Sequence, residues 1–181
     1  GDLGNTARAY AKALFETWGF DAATINPYLG RDSIDPFLQY GDKGVLILCR
    51  TSNSGSADLQ LLETTVAGGD SFALYQRVAL MASELNSRGN VGLVVGATQP
   101  DELGWVRQRC PAMPILIPGV GAQGGDVETA VRNGTDANGE LAIINSSREI
   151  TYASRGSDFA EAAREAAIRV RDRIRKALPP N

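Results

Sequence analysis

The chain has no histidine among its 181 residues. Imidazole is the most frequent general base at neutral pH and the most frequent nitrogen ligand of metal ions in proteins. Its absence therefore excludes serine-histidine triads, histidine metal sites and imidazole proton shuttles. Any chemistry must use carboxylates, lysine or positioned charge, and only three lysines are present, namely Lys12, Lys43 and Lys176.

Cysteine and excess positive charge are also scarce. Cys49 and Cys110 stand apart without the spacing of a metal-binding pair, which predicts buried, reduced thiols in a cytoplasmic protein. A net charge of -3 argues against a nucleic-acid partner, because binding to phosphate backbones needs clustered cations. The sequence predicts neither a signal peptide nor a membrane span, so no membrane partner is expected.

Hydrophobic residues make up 43% of the chain and charged residues 22%, which is typical of one ordered domain. Continuous apolar runs at 45–49, 91–95 and 141–144 indicate parallel strands buried on both faces. The full set of predicted strands is 21–29, 44–52, 91–98, 114–118 and 141–145. Helical periodicity predicts helices at 5–18, 32–40, 71–88, 100–109 and 126–133 and in a closing segment from 159. This alternation predicts an α/β fold of five strand-helix units.

Two architectures fit five such units. An open doubly wound sheet would be complete at this length, whereas a (β/α)8 barrel needs eight strands. The chain starts just upstream of a helix without a strand before it, which favours the last five units of a barrel. The long segment 53–70 is predicted to be irregular and to form an active-site loop.

A glycine-rich segment at 118–126 follows the apolar run 115–117 and precedes a predicted helix. Glycines let backbone N–H groups approach an anion, and a helix N-terminus carries positive partial charge. The next predicted strand is followed by Arg148, whose guanidinium can bind a phosphate with two hydrogen bonds. Together the two segments predict a phosphate site like the one after strands seven and eight of a (β/α)8 barrel.

Six motifs follow one another in chain order, namely GDLGNTA from residue 1, TINPYLG from 24, LCRTSNSG from 48, VVGAT from 94, PGVGAQGGD from 118 and NSSR from 145. With these motifs the sequence resembles the bacterial orotidine 5'-monophosphate decarboxylases. The resemblance implies a (β/α)8 barrel that forms a homodimer and converts orotidine monophosphate to uridine monophosphate and CO2 in pyrimidine biosynthesis. It also implies that no metal and no cofactor take part.

The resemblance assigns roles to individual residues. The phosphodianion would be bound by Gln123 and Arg148 with help from the N–H around Ser147, and Pro118 lies where the closing loop leaves its strand. Ser52 would bind the pyrimidine amide, although a serine there is equally well explained as a strand-end cap. Asn26 and Tyr28 would line the pocket, although Asn26, which precedes Pro27, is equally well explained as a turn residue.

The N-terminal part departs from the family pattern. In the family, strand three carries an Asp-x-Lys-x-x-Asp motif. Only the last aspartate of this motif has a match here, namely Asp2, and the resemblance implies that Asp2 is a catalytic residue. None of the three lysines lies where the catalytic lysine is needed. We therefore expect strands one to three to be missing from this single domain, residues 1–181. Asp2 and Thr6 are expected to serve the active site of a partner subunit, unless Asp2 merely caps the first helix.

Two other functions remain open on sequence grounds. One is a phosphate- or nucleotide-binding α/β module without catalysis, and the other is a related barrel that decarboxylates a sugar phosphate. Ser52 separates them in part, because only a pyrimidine ligand needs an amide-binding group at that position.

Overall fold

The structure is a computed structural model that describes residues 2–65, 69–121 and 124–179. Its strands are β1 (Ala22–Ile25), β2 (Gly44–Arg50), β3 (Glu63–Thr65), β4 (Ser71–Ala73), β5 (Val91–Val95), β6 (Ile115–Pro118) and β7 (Ala142–Asn145). Its helices are α1 (Gly4–Lys12), α2 (Arg31–Leu38), α3 (Ala57–Gln60), α4 (Leu74–Leu85), α5 (Pro100–Arg109), α6 (Val127–Gly134), α7 (Arg148–Thr151) and α8 (Phe159–Ala177). A π-helical turn at Ala13–Thr17 extends α1, and a 3-10 turn at Ser54–Ser56 precedes α3.

Five strands form one parallel sheet in the order β1-β2-β5-β6-β7. Neighbours in the sheet are therefore successive strands of the chain, apart from a separate hairpin of β3 and β4. A doubly wound sheet reverses its strand order near the middle, whereas the strands of a (β/α) barrel continue in one direction. The order confirms the predicted fold class, and the described chain forms a partial barrel with five strand-helix units.

The two faces of this sheet differ in burial. One face packs against helices and is fully buried, as shown by Ile47, Leu93 and Ile115, each 0% exposed. The opposite face is also apolar, because the strand register aligns Leu48, Val94, Leu116 and Ile143 in one row. Ile143 in this row is 50% exposed. In a closed barrel this second face is the packed interior.

The predicted irregular segment contains more structure than expected. Besides the 3-10 turn and α3, it includes β3, which pairs antiparallel with β4. The helix predicted at 71–88 consequently begins only at Leu74, after β4. The side chain of Gln76 explains this start, since its Oε1 accepts the N–H of Ala73 at 2.9 Å and so satisfies one of the donors at the helix end.

Arg107 on α5 holds the segments that precede β6 and β7 by hydrogen bonds. Its side chain is 8% exposed and donates to the backbone carbonyls of Cys110, Pro111, Met113, Gly134 and Leu141 at distances of 2.8 to 3.2 Å. Met113 lies two residues before β6, and Leu141 directly precedes β7. Arg107 is therefore a structural residue, and it lies at the edge of the sheet away from the predicted site.

Both cysteines are free and buried, as the sequence predicts. The thiol of Cys49 donates to the carbonyl of Tyr75 at 3.3 Å, and that of Cys110 to the carbonyl of Ala79 at 3.7 Å. Burial raises the pKa of both thiols above the ordinary value. In the parts of the chain that the structure describes, no helix combines the length and apolarity needed to cross a membrane.

Candidate functional site

The predicted phosphate-site residues follow the carboxyl ends of the sheet strands. Pro118 is the last residue of β6, and Ser147 and Arg148 follow β7. Pro118 and Asn145 are paired in the register of these two strands. Because parallel strands end at the same edge of a sheet, these residues share one edge. Gln123, the other predicted phosphate ligand, lies outside the described residues.

The glycine segment after β6 forms a small loop closed by its own hydrogen bonds. The N–H of Gly121 donates to the carbonyl of Gly125 at 3.0 Å, and the N–H of Gly125 donates to the carbonyl of Gly119 at 3.1 Å. Gly119, Gly121 and Gly124 have φ values of 93°, 70° and 88°, which side chains other than glycine rarely tolerate. The loop thus needs glycine for its backbone, and the N–H groups of Gly121, Gly124 and Gly125 donate to carbonyls within it.

Helix α6 begins directly after this loop. Asp126 is its N-cap, and its carboxylate accepts the N–H of Thr129 at 2.7 Å. Hydrogen bonds from Thr129 hold the pKa of Asp126 below the ordinary value, and the positive charge of Arg173 acts in the same direction. Arg173 on α8 also donates to both carboxylate oxygens of Glu128 at 3.2 and 2.9 Å. The closing helix therefore offsets the acidic charge beside the N-terminus of α6.

Arg148 is exposed and, within residues 2–65, 69–121 and 124–179, forms no ion pair. The hydroxyl of the preceding Ser147 donates to Asn145 Oδ1 at 3.0 Å. An exposed guanidinium beside a glycine loop and a helix N-terminus is suited to an anion such as phosphate.

Two polar atoms near this loop were not singled out by the sequence analysis. Ser146 Oγ and Glu149 Oε2 are buried and have no hydrogen-bond partner in the described part of the chain. The carboxylate of Glu149 lies against Gly121, where even a methyl group would collide with it. Buried polar atoms are normally paired, and the Ser146 hydroxyl can donate to an anion bound beside the loop, whereas the Glu149 carboxylate is an acceptor and cannot. Ser146 belongs to the NSSR motif, so the sequence did contain a signal that could have identified it.

Ser52 follows β2 by two residues and lies against Gly96, which follows β5. A Cβ atom on Gly96 would be 2.8 Å from the Ser52 Cβ atom, so the close approach depends on glycine. Ser52 thus occupies the same carboxyl edge as Pro118 and Arg148.

A cavity of about 600 Å³ opens beside the ends of β1 and β2. Asn26 and Tyr28 line it, together with Leu48, Leu74 and Val78. Its walls do not include Ser52, Pro118 or Arg148, so it is separate from the glycine loop. The side chain of Asn26 accepts the N–H of Tyr28 at 3.0 Å, which fits the turn interpretation of that residue.

Asp2 and Thr6 lie at the start of α1 and are exposed. Helix α1 packs against α2, which follows β1, and β1 is at the opposite edge of the sheet from β7. The structure therefore does not place these two residues with Arg148 in one subunit. Asp2 accepts the N–H of the adjacent Leu3 at 2.7 Å, but Leu3 itself is the N-cap and no side chain caps the helix.

The sheet order defines one class of protein, the (β/α)8 barrels, of which this chain forms five strand-helix units with a glycine loop between β6 and α6. The model of the orotidine 5'-phosphate decarboxylase / HUMPS family matches residues 1–166. The chain belongs to this family, as its motifs indicate.

Individual relatives agree with this assignment. Residues of this chain are 55% identical to the orotidine 5'-phosphate decarboxylase of Dehalococcoides mccartyi over 96% of this chain and 64% of that protein. The enzyme of an Azoarcus species is 55% identical over 96% of this chain and 63% of that protein. The solved OMP decarboxylase of Leishmania donovani superposes with a TM-score of 0.79 at 40% identity, covering 96% of this chain and 65% of that one. The chain thus spans less than two thirds of the length of these relatives.

Proposed function

We propose that the complete protein decarboxylates orotidine 5'-monophosphate to uridine 5'-monophosphate. The C–C bond from the pyrimidine C6 to the carboxylate breaks, CO2 leaves, and the electron pair that remains on C6 takes up a proton. In the family pattern a lysine stabilises that charge and supplies the proton. The barrel strand that carries it belongs, in our proposal, to the part of the complete protein that covers the exposed apolar face of this sheet, which includes Leu116 and Ile143.

The closed glycine loop carries this proposal. It directly precedes the N-terminus of α6 and lies beside exposed Arg148 and the buried hydroxyl of Ser146. These groups fit the phosphodianion of a nucleotide, with Gln123 as a further ligand by family resemblance. Ser52, at the same edge, is assigned to the pyrimidine amide. Binding energy from the phosphate can then be used to close the site and position the reacting carbon.

The direct test measures decarboxylation by the complete protein. We expect turnover of orotidine monophosphate that is insensitive to a metal chelator, because the proposed chemistry uses charge rather than a metal. Turnover of a keto-sugar phosphate instead, or turnover that stops on chelation, would favour the sugar-phosphate barrel. Tight binding of uridine monophosphate without turnover would favour the non-catalytic binding module.

We also propose a homodimer in which Asp2 and Thr6 reach the partner's active site. The exposure of Asp2, just before α1, and of Thr6, on its first turn, supports this role, as does the 66% exposure of the neighbouring apolar residue Leu3. The cytoplasm is the proposed location, since free buried thiols suit a reducing compartment.

Subunit mixing tests the shared site. An Asp2→Ala subunit combined with a subunit that lacks the catalytic lysine should recover activity in heterodimers, because one of the two sites then receives both groups. Heterodimers that form and stay inactive would instead assign Asp2 to its own subunit.

A further inference from the structure

Arg50 is a buried charge at the carboxyl end of β2, two residues before Ser52. Its side chain is only 4% exposed, and the register of β2 with β5 shifts between Leu48 and Arg50. Buried arginines are uncommon and persist where hydrogen bonds satisfy the guanidinium. A register shift at a strand end redirects the side chains that follow it.

The Arg50 guanidinium bridges two segments of the chain. On one side, Nε forms an ion pair with Glu102 Oε1 at 3.3 Å and Nη2 donates to Gln99 Oε1 at 3.0 Å. On the other side, Nη1 donates to Gln60 Oε1 at 3.3 Å and to the hydroxyl of Ser56. Because the guanidinium is planar and rigid, this arrangement fixes the segment 51–60 relative to the start of α5.

The same network holds the residue next to Ser52. Gln60 Oε1 accepts the backbone N–H of Thr51 at 2.9 Å, and Gln60 Nε2 donates to Thr51 Oγ1 at 2.8 Å. The carbonyl of Arg50 accepts the N–H of Gly96 at 2.8 Å, which keeps the backbone just before Ser52 close to the end of β5. The position of Ser52 therefore depends on contacts that Arg50 organises.

We propose that Arg50 is a positioning residue for base recognition, which it serves by holding Ser52 where that serine meets the pyrimidine. This inference rests on the proposed function. It assigns to Arg50 no contact with the substrate. Its effect is confined to the half of the site that binds the base, since the phosphate half stands on β6, β7 and α6.

Arg50→Lys is the informative substitution, and Arg107→Lys is its matched control. Both side chains are buried arginines, 4% and 8% exposed, and both bond to several acceptors. Arg107 lies at the amino edge of the sheet, away from the site. Loss of stability alone should therefore appear in both variants, and loss of base recognition only in Arg50→Lys. A second variant, Gln60→Leu, disturbs the same segment without leaving a buried charge unpaired.

Each variant of the complete protein is titrated with uridine monophosphate and with ribose 5-phosphate, and is assayed for decarboxylation. Arg50→Lys should weaken binding of uridine monophosphate by about tenfold or more, through lost hydrogen bonds to the base. Its binding of ribose 5-phosphate should stay within about twofold, as expected for a separate contact region. A misplaced reactive base should lower kcat/KM by about 100-fold. Gln60→Leu should show the same selective loss.

Hydrogen exchange of the unliganded proteins provides an independent readout. Amides in the segment 51–60 should exchange faster in Arg50→Lys than in the wild type, and at the wild-type rate in Arg107→Lys. Equal losses for the nucleotide and for ribose 5-phosphate, or unaltered nucleotide binding in both Arg50→Lys and Gln60→Leu, would overturn the role of Arg50. A wild-type protein that neither binds nor decarboxylates the nucleotide would instead overturn the proposed function itself.

Discussion

Replacing Gly125 with alanine is expected to break the closed glycine loop and with it the phosphate site. A Cβ atom at this position would lie 2.5 Å from the Cβ atom of Ala97 and 2.6 Å from the carbonyl oxygen of Gly119. Neither neighbour is the free end of a flexible side chain, so relief requires movement of the backbone. Movement of Gly119 also disturbs its hydrogen bond from the N–H of Gly125.

The magnitude follows from the cost of overpacking. Added methyl groups in tightly packed positions typically cost about 1 to 3 kcal/mol, and rigid neighbours on two sides place Gly125→Ala toward the upper end. For a protein of this size class each kcal/mol lowers Tm by roughly 2 to 4 °C, so a decrease of about 4 to 12 °C is expected. The loss in binding free energy for phosphate should exceed the loss in free energy of unfolding, because the loop itself forms the proposed site.

Thermal unfolding and titration with inorganic phosphate measure the two effects. Gly104→Ala is the matched control, since a Cβ atom there meets only the side chain of Asn133, at 3.8 Å, and Gly104 lies inside α5. Alanine should stabilise that helix by about 0.5 to 1 kcal/mol and leave phosphate binding unaltered. If Gly125→Ala kept both the wild-type Tm and wild-type phosphate affinity, the reasoning about the closed loop would be wrong.

Three further outcomes are expected. Arg148→Ala should lower kcat/KM for orotidine monophosphate by roughly 10- to 100-fold, because a charged hydrogen-bond partner of the dianion is lost, while turnover of phosphate-free orotidine changes little; equal losses on both substrates would refute this role. Cys49 should resist alkylation in the native protein at pH 8 and react after unfolding, as peptide mass spectrometry can show, because burial raises the pKa of its thiol. Since the pKa of Asp126 is lowered on folding, its stabilising contribution is present above the ordinary carboxyl pKa and disappears as the pH falls through the lowered value. Denaturant unfolding as a function of pH should therefore show a smaller acid-induced loss in Asp126→Ala than in the wild type.

Local signals in the sequence identified most of the elements. Continuous apolar runs located the sheet strands, and Asp126 before an apolar periodic segment located the start of α6. Strand ends were less well defined: the first predicted strand, 21–29, is β1 at Ala22–Ile25, since Pro27 and the turn at Asn26 end it early. The hairpin of β3 and β4 was missed because each strand has only three residues, too few to show the alternation that marks a half-buried strand.

The sequence by itself determined the chemistry available to this protein. Glycine spacing, the NSSR motif and the missing histidines are properties of the chain and need no coordinates. The motifs favoured a barrel, but only the tertiary structure showed the strand order that confirms it, because strand order depends on long-range pairing that local patterns do not encode. It also brought Arg50 together with its partners Gln60, Gln99 and Glu102, which are 10 to 52 positions away in sequence. What a buried guanidinium does depends on the groups that surround it, and folding brings those groups together.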